Sequence, residues 1–245
     1  MRLIDIMKTK LHTFFAVAVL SMFSASSLAA PNSEEVETNQ PIAAPTQVVE
    51  LFTSQGCSSC PPANKFVGQI AEQDGVLALT YGVTYWDYLG WKDTFGDPSF
   101  TKRQREYRQV LGTSNIYTPQ IILNGAKHGA RFAQRDVLST QMPDNGMTSR
   151  ILIKNGTLSI EGDAPKGSVV AVVSYMPGVH DVAVKRGENG GRNLRLTNVV
   201  TDVTKMPWKG ETISTKIKAE TGMAYAALFH GPETGQIITA ATYAP

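Results

Sequence analysis

Two adjacent prolines limit what the chain can form near residue 60. Pro61 and Pro62 follow the segment "VVELFTSQGCSSC", and proline is tolerated in a helix only within the first turn. A helix in this region can therefore begin only at about residues 60–62. Cys57 then lies on a turn in front of the helix, and Cys60 lies at its start. These are the two cysteines of the 245-residue chain.

The apolar pattern around the cysteines alternates between strand and helix. Residues 48–53 and 76–83 are apolar runs typical of buried strands, and apolar residues recur at helical spacing between them. Asp97 and Pro98 then supply an N-cap and a first-turn proline, which predict a helix that ends near Gly112.

The segment after this helix predicts two more strands and a last helix. Asn124-Gly125 is typical of a two-residue turn between hairpin strands, and residues 133–142 have a helical pattern. The order strand-helix-strand-helix-strand-strand-helix is that of a thioredoxin-like α/β domain, which we assign to residues 47–145. In open α/β sheets, chemistry is placed at the carboxyl ends of the strands, where Cys57 lies.

The periodicity changes to two after about residue 150. Alternating or β-branched runs recur to the end of the chain, separated by turn residues such as Asn155-Gly156. No strong helical pattern occurs after residue 142. These observations predict an all-β, sandwich-like C-terminal region of about eight strands over residues 146–245.

The amino terminus has the pattern of an export signal. Basic residues precede a short apolar run, and small residues occupy the −3 and −1 positions, Ser27 and Ala29. We predict a signal peptide over residues 1–29, a flexible leader over residues 30–46, and a mature chain in the periplasm or outside the cell. The apolar run is too short to span a bilayer, so no membrane insertion is expected after cleavage.

The charge balance argues against nucleic acid as a partner. Removal of residues 1–29 leaves twenty of the 23 basic and twenty of the 21 acidic residues. Nucleic-acid-binding surfaces are usually basic, so a mature chain without net charge favours other partners. The expected partner is a protein or small-molecule thiol or disulfide.

The cysteine spacing favours chemistry over a stapling role. A disulfide between Cys57 and Cys60 encloses two residues and would restrict the unfolded chain little. The start of a helix stabilises a thiolate, most strongly at the first cysteine. Cys57 is therefore the predicted attacking sulfur, exposed to a partner, and Cys60 the resolving one. No cofactor is expected.

Metal binding is the alternative for the same pair. Zinc usually takes four ligands, and the histidines at 128, 180 and 230 are not at ligand spacing from the cysteines. We therefore predict no zinc site. Copper(I) accepts two thiolates, which leaves a copper-handling protein as an alternative.

Several other side chains are candidates either for the functional site or for purely structural roles. Glu50 lies in the first apolar run and could accept the proton of Cys60 through water, or it could equally pair with a lysine. Trp86, Tyr88 and Trp91 are candidate substrate contacts in an aromatic loop that could equally fill core. The basic residues of the second helix are most simply explained as the solvated face of that helix. The glycine-rich residues 186–193 are most simply explained as a loop between strands. Those basic residues are Lys102, Arg103, Arg105 and Arg108.

Four separated segments carry a family resemblance. They are "VELFTSQGCSSCPPANK", "YWDYLGWKDTFGDPSFTKRQREY", "YTPQIILNG" and "RGENGGRNLRLTNVV". Over about residues 47–243 the chain resembles the exported bacterial family known as domain of unknown function 1223, a thioredoxin-like family with an appended β region. Where that family often carries a histidine and an aspartate, this chain has Gly82 and Thr84.

The resemblance to thioredoxin-like proteins implies roles for Thr118 and Pro119. Pro119 begins a predicted strand, where proline is unfavourable; a cis peptide bond would explain it, and a trans proline on an edge strand is the alternative. In such proteins a cis-proline faces the disulfide, and the backbone before it pairs with the substrate. The sequence thus predicts a thiol–disulfide oxidoreductase of reductase or isomerase type. A binding or assembly module with the same fold is the alternative.

Overall fold

The computed structural model describes residues 44–217, 222–232 and 235–244. The predicted signal peptide and most of the predicted leader lie outside the described residues. Within the described residues, no helix is both long enough and apolar enough to cross a membrane.

The elements of the first half begin and end where the local sequence requires. β1 is Gln47–Thr53, α1 Pro61–Ile70, β2 Val76–Gly82, α2 Pro98–Val110, β3 Gln120–Leu123, β4 Lys127–Gly129 and α3 Gln134–Leu138. Asp97 caps α2 by accepting a hydrogen bond from the Ser99 amide at 2.7 Å, and a 3-10 helix spans Asp87–Leu89. Asn124 and Gly125 adopt positive φ angles in the turn between β3 and β4.

The remaining elements are strands. β5 is Ser149–Lys154, β6 Thr157–Gly162, β7 Val169–Ala183, β8 Asn193–Pro207, β9 Ile213–Lys216, β10 Ala224–His230 and β11 Ile237–Tyr243. β7 continues through Pro177 and Gly178 and pairs with β8 through register shifts.

The predicted fold class, a thioredoxin-like domain followed by an all-β, sandwich-like region, is wrong. The described residues form one mixed eight-stranded sheet, in the order β11-β10-β7-β8-β2-β1-β3-β4, and a three-stranded sheet, β5-β6-β9. Four strands of the second half therefore extend the sheet begun by the first half. The architecture is mostly β, with three short to medium helices in the described part of the chain.

The contact between β2 and β8 explains this correction. Thr80 pairs with Val199, and its hydroxyl donates to the Thr197 carbonyl at 2.6 Å. Asn198 has a φ of 49° and donates from Nδ2 to the Ala78 carbonyl at 2.9 Å. An unpaired edge of β2 would expose backbone donors and acceptors, and β8 covers that edge and satisfies part of them.

The two faces of the large sheet are covered by different layers. On one face α1 and α3 pack on Val49 and Leu51 of β1, and the three-stranded sheet packs on β7 and β10. On the other face α2 packs over the aromatic side chains of Phe52 and Tyr81. Adjacent residues of β1 thus face different layers, because side chains alternate along a strand.

Candidate functional site

The cysteines form a disulfide at the start of α1. Cys57 and Cys60 are joined with a Cα–Cα distance of 5.5 Å, and Cys60 is the N-cap residue of α1. The Cys60 amide donates to the Cys57 carbonyl at 3.1 Å. The predicted helix start is confirmed. A disulfide at this place is compatible with redox chemistry.

The burial of the pair differs from expectation. Cys57 is 1% exposed and Cys60 is fully buried, so the prediction that Cys57 is open to a partner is wrong. The exposed part of the motif is the Ser58-Ser59 turn between them. The Ser59 hydroxyl lies 3.3 Å from Cys57 Sγ, so this turn is the segment that adjoins the first sulfur.

Gln55 holds the loop before Cys57 in place. Its amide donates to Asp93 Oδ2 at 2.8 Å, and its side-chain Oε1 accepts from Trp91 Nε1 at 2.8 Å. Its Nε2 donates to the Thr94 hydroxyl at 2.8 Å. Gln55 is 1% exposed, so these bonds lie in the interior. These bonds tie the loop before Cys57 to the segment of residues 91–94, and Trp91 contributes one of them.

Asp93 is a buried acid of this region that the sequence did not single out. It is 3% exposed, and burial raises the pKa of its carboxyl to about 6, although amide donors from Gln55 and Phe95 oppose the shift. Its carboxylate accepts hydrogen bonds from the backbone amides of two loops, from Gln55 before the cysteines and from Phe95. The spacing "KDTFGDP" gives no sign that Asp93 would be buried while Asp97 is exposed.

The tip of the hairpin formed by β7 and β8 also reaches the cysteine loop. Asn189 is fully buried, and its Nδ2 donates to the carbonyls of Gln55 and Cys57, each at 2.9 Å. Glu188 Oε2 accepts from the Ser58 amide at 3.3 Å. The sequence predicted residues 186–193 as a simple loop between strands. Its contact with the cysteines spans about 130 positions, and no local pattern could indicate it.

Two of the three predicted aromatic contacts lie together beside Thr118. Trp86 Nε1 donates to the Thr118 hydroxyl at 2.6 Å, and the Trp86 ring stacks on Tyr88 with centroids 6.4 Å apart. Tyr88 is 77% exposed, an unusual exposure for a large aromatic side chain. The Trp86–Tyr88 pair thus forms a surface next to the peptide bond that precedes Pro119.

A groove adjoins the cysteine motif on the other side of Thr118. The Thr118–Pro119 peptide bond is cis, and the groove has a volume of about 560 Å³. Its lining is mainly apolar and comes from α1, from residues around β3 and from the segment after β4. These residues include Ser59, Pro62, Phe66, Thr118, Pro119 and Phe132. Arg131 supplies a positive charge at this groove.

Glu50 does not join the cysteines. It points to the α2 face of β1, where Arg103 Nε donates to it at 2.8 Å and the Tyr107 hydroxyl donates to its other oxygen. Burial alone would raise the pKa of Glu50, but the charge and hydrogen bonds of Arg103, together with Tyr107, lower it overall. Arg103 is 2% exposed, so its assignment to a solvated helix face is wrong.

His230 completes this second polar cluster. Its Nδ1–H donates to the Gly235 carbonyl at 2.7 Å, which leaves Nε2 to accept from Arg103 Nη2 at 3.3 Å. Burial and the neighbouring Arg103 charge lower the pKa of His230 to about 4, so the imidazole is neutral near pH 7. In the described residues, no group of three or more His, Cys, Asp or Glu is arranged to hold a metal ion.

Gly82 is the position where the resembled family often has a histidine. A Cβ atom there would lie 2.8 Å from the Phe95 carbonyl oxygen, and Gly82 pairs with Gly96 in an isolated bridge. The close approach of the two backbones therefore leaves no room for a side chain at this position.

The fold and the site define a class: a mostly β protein with a large mixed sheet, in which a disulfide between cysteines three positions apart lies at the start of a helix and beside a groove. The chain belongs to the family described as "Protein of unknown function (DUF1223)", whose model matches residues 48–229. The predicted family is thus confirmed. No curated protein matches the chain significantly.

Two solved structures are similar to this chain. The crystal structure of protein AGR_C_4864 from Agrobacterium tumefaciens is 28% identical, with a TM-score of 0.61, over 82% of this chain and 95% of that one. HBP35 of Porphyromonas gingivalis is 14% identical, with a TM-score of 0.58, over 83% of this chain and 76% of that one. The second likeness is one of fold alone.

Proposed function

We propose that the protein is a thiol–disulfide oxidoreductase that exchanges electrons between the Cys57–Cys60 couple and cysteines of a partner. The observation that carries the proposal is a disulfide of sequence separation 3 at the first turn of α1, bordered by an open groove. So small a ring contributes little to folding stability, whereas the helix start favours a thiolate. Both properties suit a bond that is made and broken.

The chemistry follows from the positions of the two sulfurs. In the reducing direction, the Cys57 thiolate attacks one sulfur of a substrate disulfide, a mixed disulfide forms, and the other substrate sulfur leaves as a thiolate that takes up a proton. The Cys60 thiolate then attacks Cys57 Sγ, which restores the protein disulfide and releases the second substrate thiol. Two electrons pass from the protein to the substrate. The same steps in reverse oxidise a substrate dithiol.

The substrate would lie in the groove between α1 and the Thr118-Pro119 segment. Pro62, Phe66 and Phe132 offer apolar contacts there. Thr118 lies between the groove and the Trp86–Tyr88 pair, so an extended peptide could contact both. Because Cys57 is 1% exposed, the exchange requires the Ser58-Ser59 turn to open locally. Glu50 has no part in these steps.

The test is a redox titration followed by substrate trapping. Incubation of the folded protein in dithiothreitol and then in glutathione buffers should give a reversible two-electron equilibrium, read by mass after thiol alkylation. Cys60→Ser should accumulate mixed disulfides through Cys57 in cells, whereas the matched Cys57→Ser variant should not. A disulfide that resists dithiothreitol in the folded protein would overturn the proposal.

We propose the periplasm, or the exterior of the cell, as the place of action. The support is the pattern of residues 1–29, a basic start followed by an apolar run and a small-residue cleavage site. Expression of the full chain and of a chain lacking residues 2–29, followed by cell fractionation, tests it. Equal distribution of the two chains would contradict export.

A binding module is the second candidate, and the exposure of Tyr88 favours it. An aromatic side chain that is 77% exposed and stacked on Trp86 is a common anchor for a partner. Tyr88→Ala separates the two functions: a binding module loses its partners while the redox equilibrium is retained. Loss of mixed disulfides in the Tyr88→Ala, Cys60→Ser double variant would instead place the aromatic pair in substrate recognition.

A further inference from the structure

The hairpin tip makes polar contacts with the main chain on both sides of Cys57. Asn189 donates to the carbonyls of Gln55 and Cys57, and Arg192 Nη1 donates to Asn189 Oδ1 at 2.9 Å. Both ends of the Asn189 amide are therefore engaged, which fixes its orientation. A fully buried amide in this arrangement holds the Cys57 backbone in one position.

The same tip brings a negative charge to the motif. Glu188 Oε2 accepts a hydrogen bond from the amide of Ser58, the residue that follows Cys57. The first turn of α1 carries no acidic side chain of its own, so Glu188 adds a carboxylate where the sequence of α1 has none. Other charged groups around the loop are Asp93, which faces the Gln55 amide, Arg192, which faces Asn189, and Arg131, which lines the groove together with Ser59.

A carboxylate that is hydrogen-bonded to the amide of the residue after Cys57 has a predictable effect on a thiolate at Cys57. Like charges at short range disfavour ionisation of the second group, and the reduced form of the couple is the form that carries the thiolate. The oxidised form has no charge on sulfur and is not penalised. Glu188 therefore acts against the helix start, which favours the thiolate.

We infer that the tip of the β7–β8 hairpin is part of the redox site: Asn189 is a positioning residue for Cys57, and Glu188 opposes thiolate formation and so favours the disulfide. This inference rests on the proposed function and deepens it. It assigns to the second half of the chain a role in setting the reactivity of cysteines in the first half.

Glu188→Gln tests the charge, with Glu72→Gln as its matched control. Glu72 is also exposed but lies past the far end of α1, whose ten residues span roughly 15 Å at 1.5 Å per residue. Each change is made in a Cys60→Ser protein, which has Cys57 as its single thiol, and iodoacetamide alkylation is followed from pH 5 to 9. At low salt, and below the midpoint of the pH profile, we expect Cys57 of the Glu188→Gln variant to be alkylated on the order of twofold faster than Cys57 of the Glu72→Gln control. The difference should be smaller at high salt.

Asn189→Ala tests the positioning role, with the exposed Asn193→Ala as control. Looser placement of Cys57 should slow its release by Cys60, so the mixed disulfide should persist for about threefold longer or more in rapid-quench experiments. If Asn189→Ala does not fold, Arg192→Met serves in its place. It keeps the Asn189 side chain but removes the hydrogen bond that orients its amide, and the same slowing is expected.

The outcomes distinguish this inference from the function on which it rests. A redox-active couple whose Glu188→Gln profile coincides with that of Glu72→Gln overturns the electrostatic role. Unchanged mixed-disulfide lifetimes in both Asn189→Ala and Arg192→Met overturn the positioning role. A disulfide that cannot be reduced in the folded protein overturns both the inference and the oxidoreductase proposal.

Discussion

β1 separates two polar regions that differ in construction. The cysteine loop that follows the strand is held by separate hydrogen bonds from the amide side chains of Gln55 and Asn189 and to the carboxylates of Asp93 and Glu188, and it borders a groove. On the other face, Glu50 and Arg103 form an ion pair that is 0% and 2% exposed. Seven positions separate Glu50 from Cys57, yet the sheet lies between their surroundings. The prediction that Glu50, the acid of β1, acts on Cys60 relied on nearness in sequence, whereas its partner in the structure is Arg103.

The comparison predicts that the ion pair serves stability and that the cysteine loop serves chemistry. Removal of one partner of a buried ion pair leaves an uncompensated charge and costs about 3–5 kcal/mol. Glu50→Gln should lower the free energy of unfolding by about that amount in urea titrations. The matched control is Glu106→Gln, because Glu106 pairs with Lys205 at the surface and should contribute less than about 1 kcal/mol.

Tyr107→Phe tests the separation of the two polar regions in a protein that keeps the Glu50–Arg103 ion pair. It removes the hydroxyl that donates to Glu50 and should leave the Cys57–Cys60 equilibrium unchanged. If Tyr107→Phe or a folded Glu50→Gln protein shifted the thiol alkylation profile of Cys60, the two regions would be coupled through β1 and their separation would be wrong.

His230 should make the α2-face cluster sensitive to acid. Its pKa is about 4 in the folded protein, against an ordinary 6.5, so between these values the unfolded state binds more protons. Stability should therefore fall as the pH decreases from about 6.5 to 4, by up to about 3 kcal/mol. The lowered pKa of Glu50 extends the loss below about pH 4.5. Urea titrations of wild type and His230→Gln across this window measure the difference; parallel curves would contradict the prediction.

Asp93 should give the opposite slope from the cysteine side of the sheet. Its folded pKa of about 6 exceeds the ordinary 3.8, so between these values the folded state binds more protons. Stability should fall as the pH rises through this range, by about 2–3 kcal/mol if fully expressed. Asp93→Asn should remove this fall, so its stability should rise more steeply with pH than that of the wild type. An unchanged slope would show that the carboxyl is not protonated at pH 5.

The sequence predicted the elements better than their assembly. The paired prolines at 61 and 62 fix the start of α1, and apolar runs fix β1 and β2, because these signals act within a few residues. The sheet that β8 joins depends on Thr80 and Val199, which are far apart in the chain, and alternation specifies a strand without specifying its neighbour. The second half therefore extends the first sheet and does not form a separate sandwich.

The same reasoning explains which candidate residues the sequence could indicate. Local signals, the spacing of the cysteines and the prolines after them, singled out the cysteines, and a proline at the start of a strand, together with the resemblance to thioredoxin-like proteins, singled out Thr118 and Pro119. Asn189 was missed because its partners lie 132 and 134 positions away. The burial of Cys57 likewise depends on tertiary contacts around the motif, which no local pattern encodes.

Trp86→Phe is the smallest of the expected effects and tests the edge of the cysteine side. The substitution keeps an aromatic ring that can stack on Tyr88 and removes the hydrogen bond from Nε1 to the Thr118 hydroxyl. A single hydrogen bond between partly buried groups contributes about 0.5–1.5 kcal/mol, so thermal unfolding should shift only slightly. Because Thr118 lines the groove, trapping of substrates by the Cys60→Ser variant should weaken when Trp86→Phe is added. The control is Phe229→Leu, which alters the core against the three-stranded sheet and should leave trapping by the folded protein unchanged. Equal trapping in both backgrounds would show that Thr118 needs no support from Trp86 for the groove to hold a substrate.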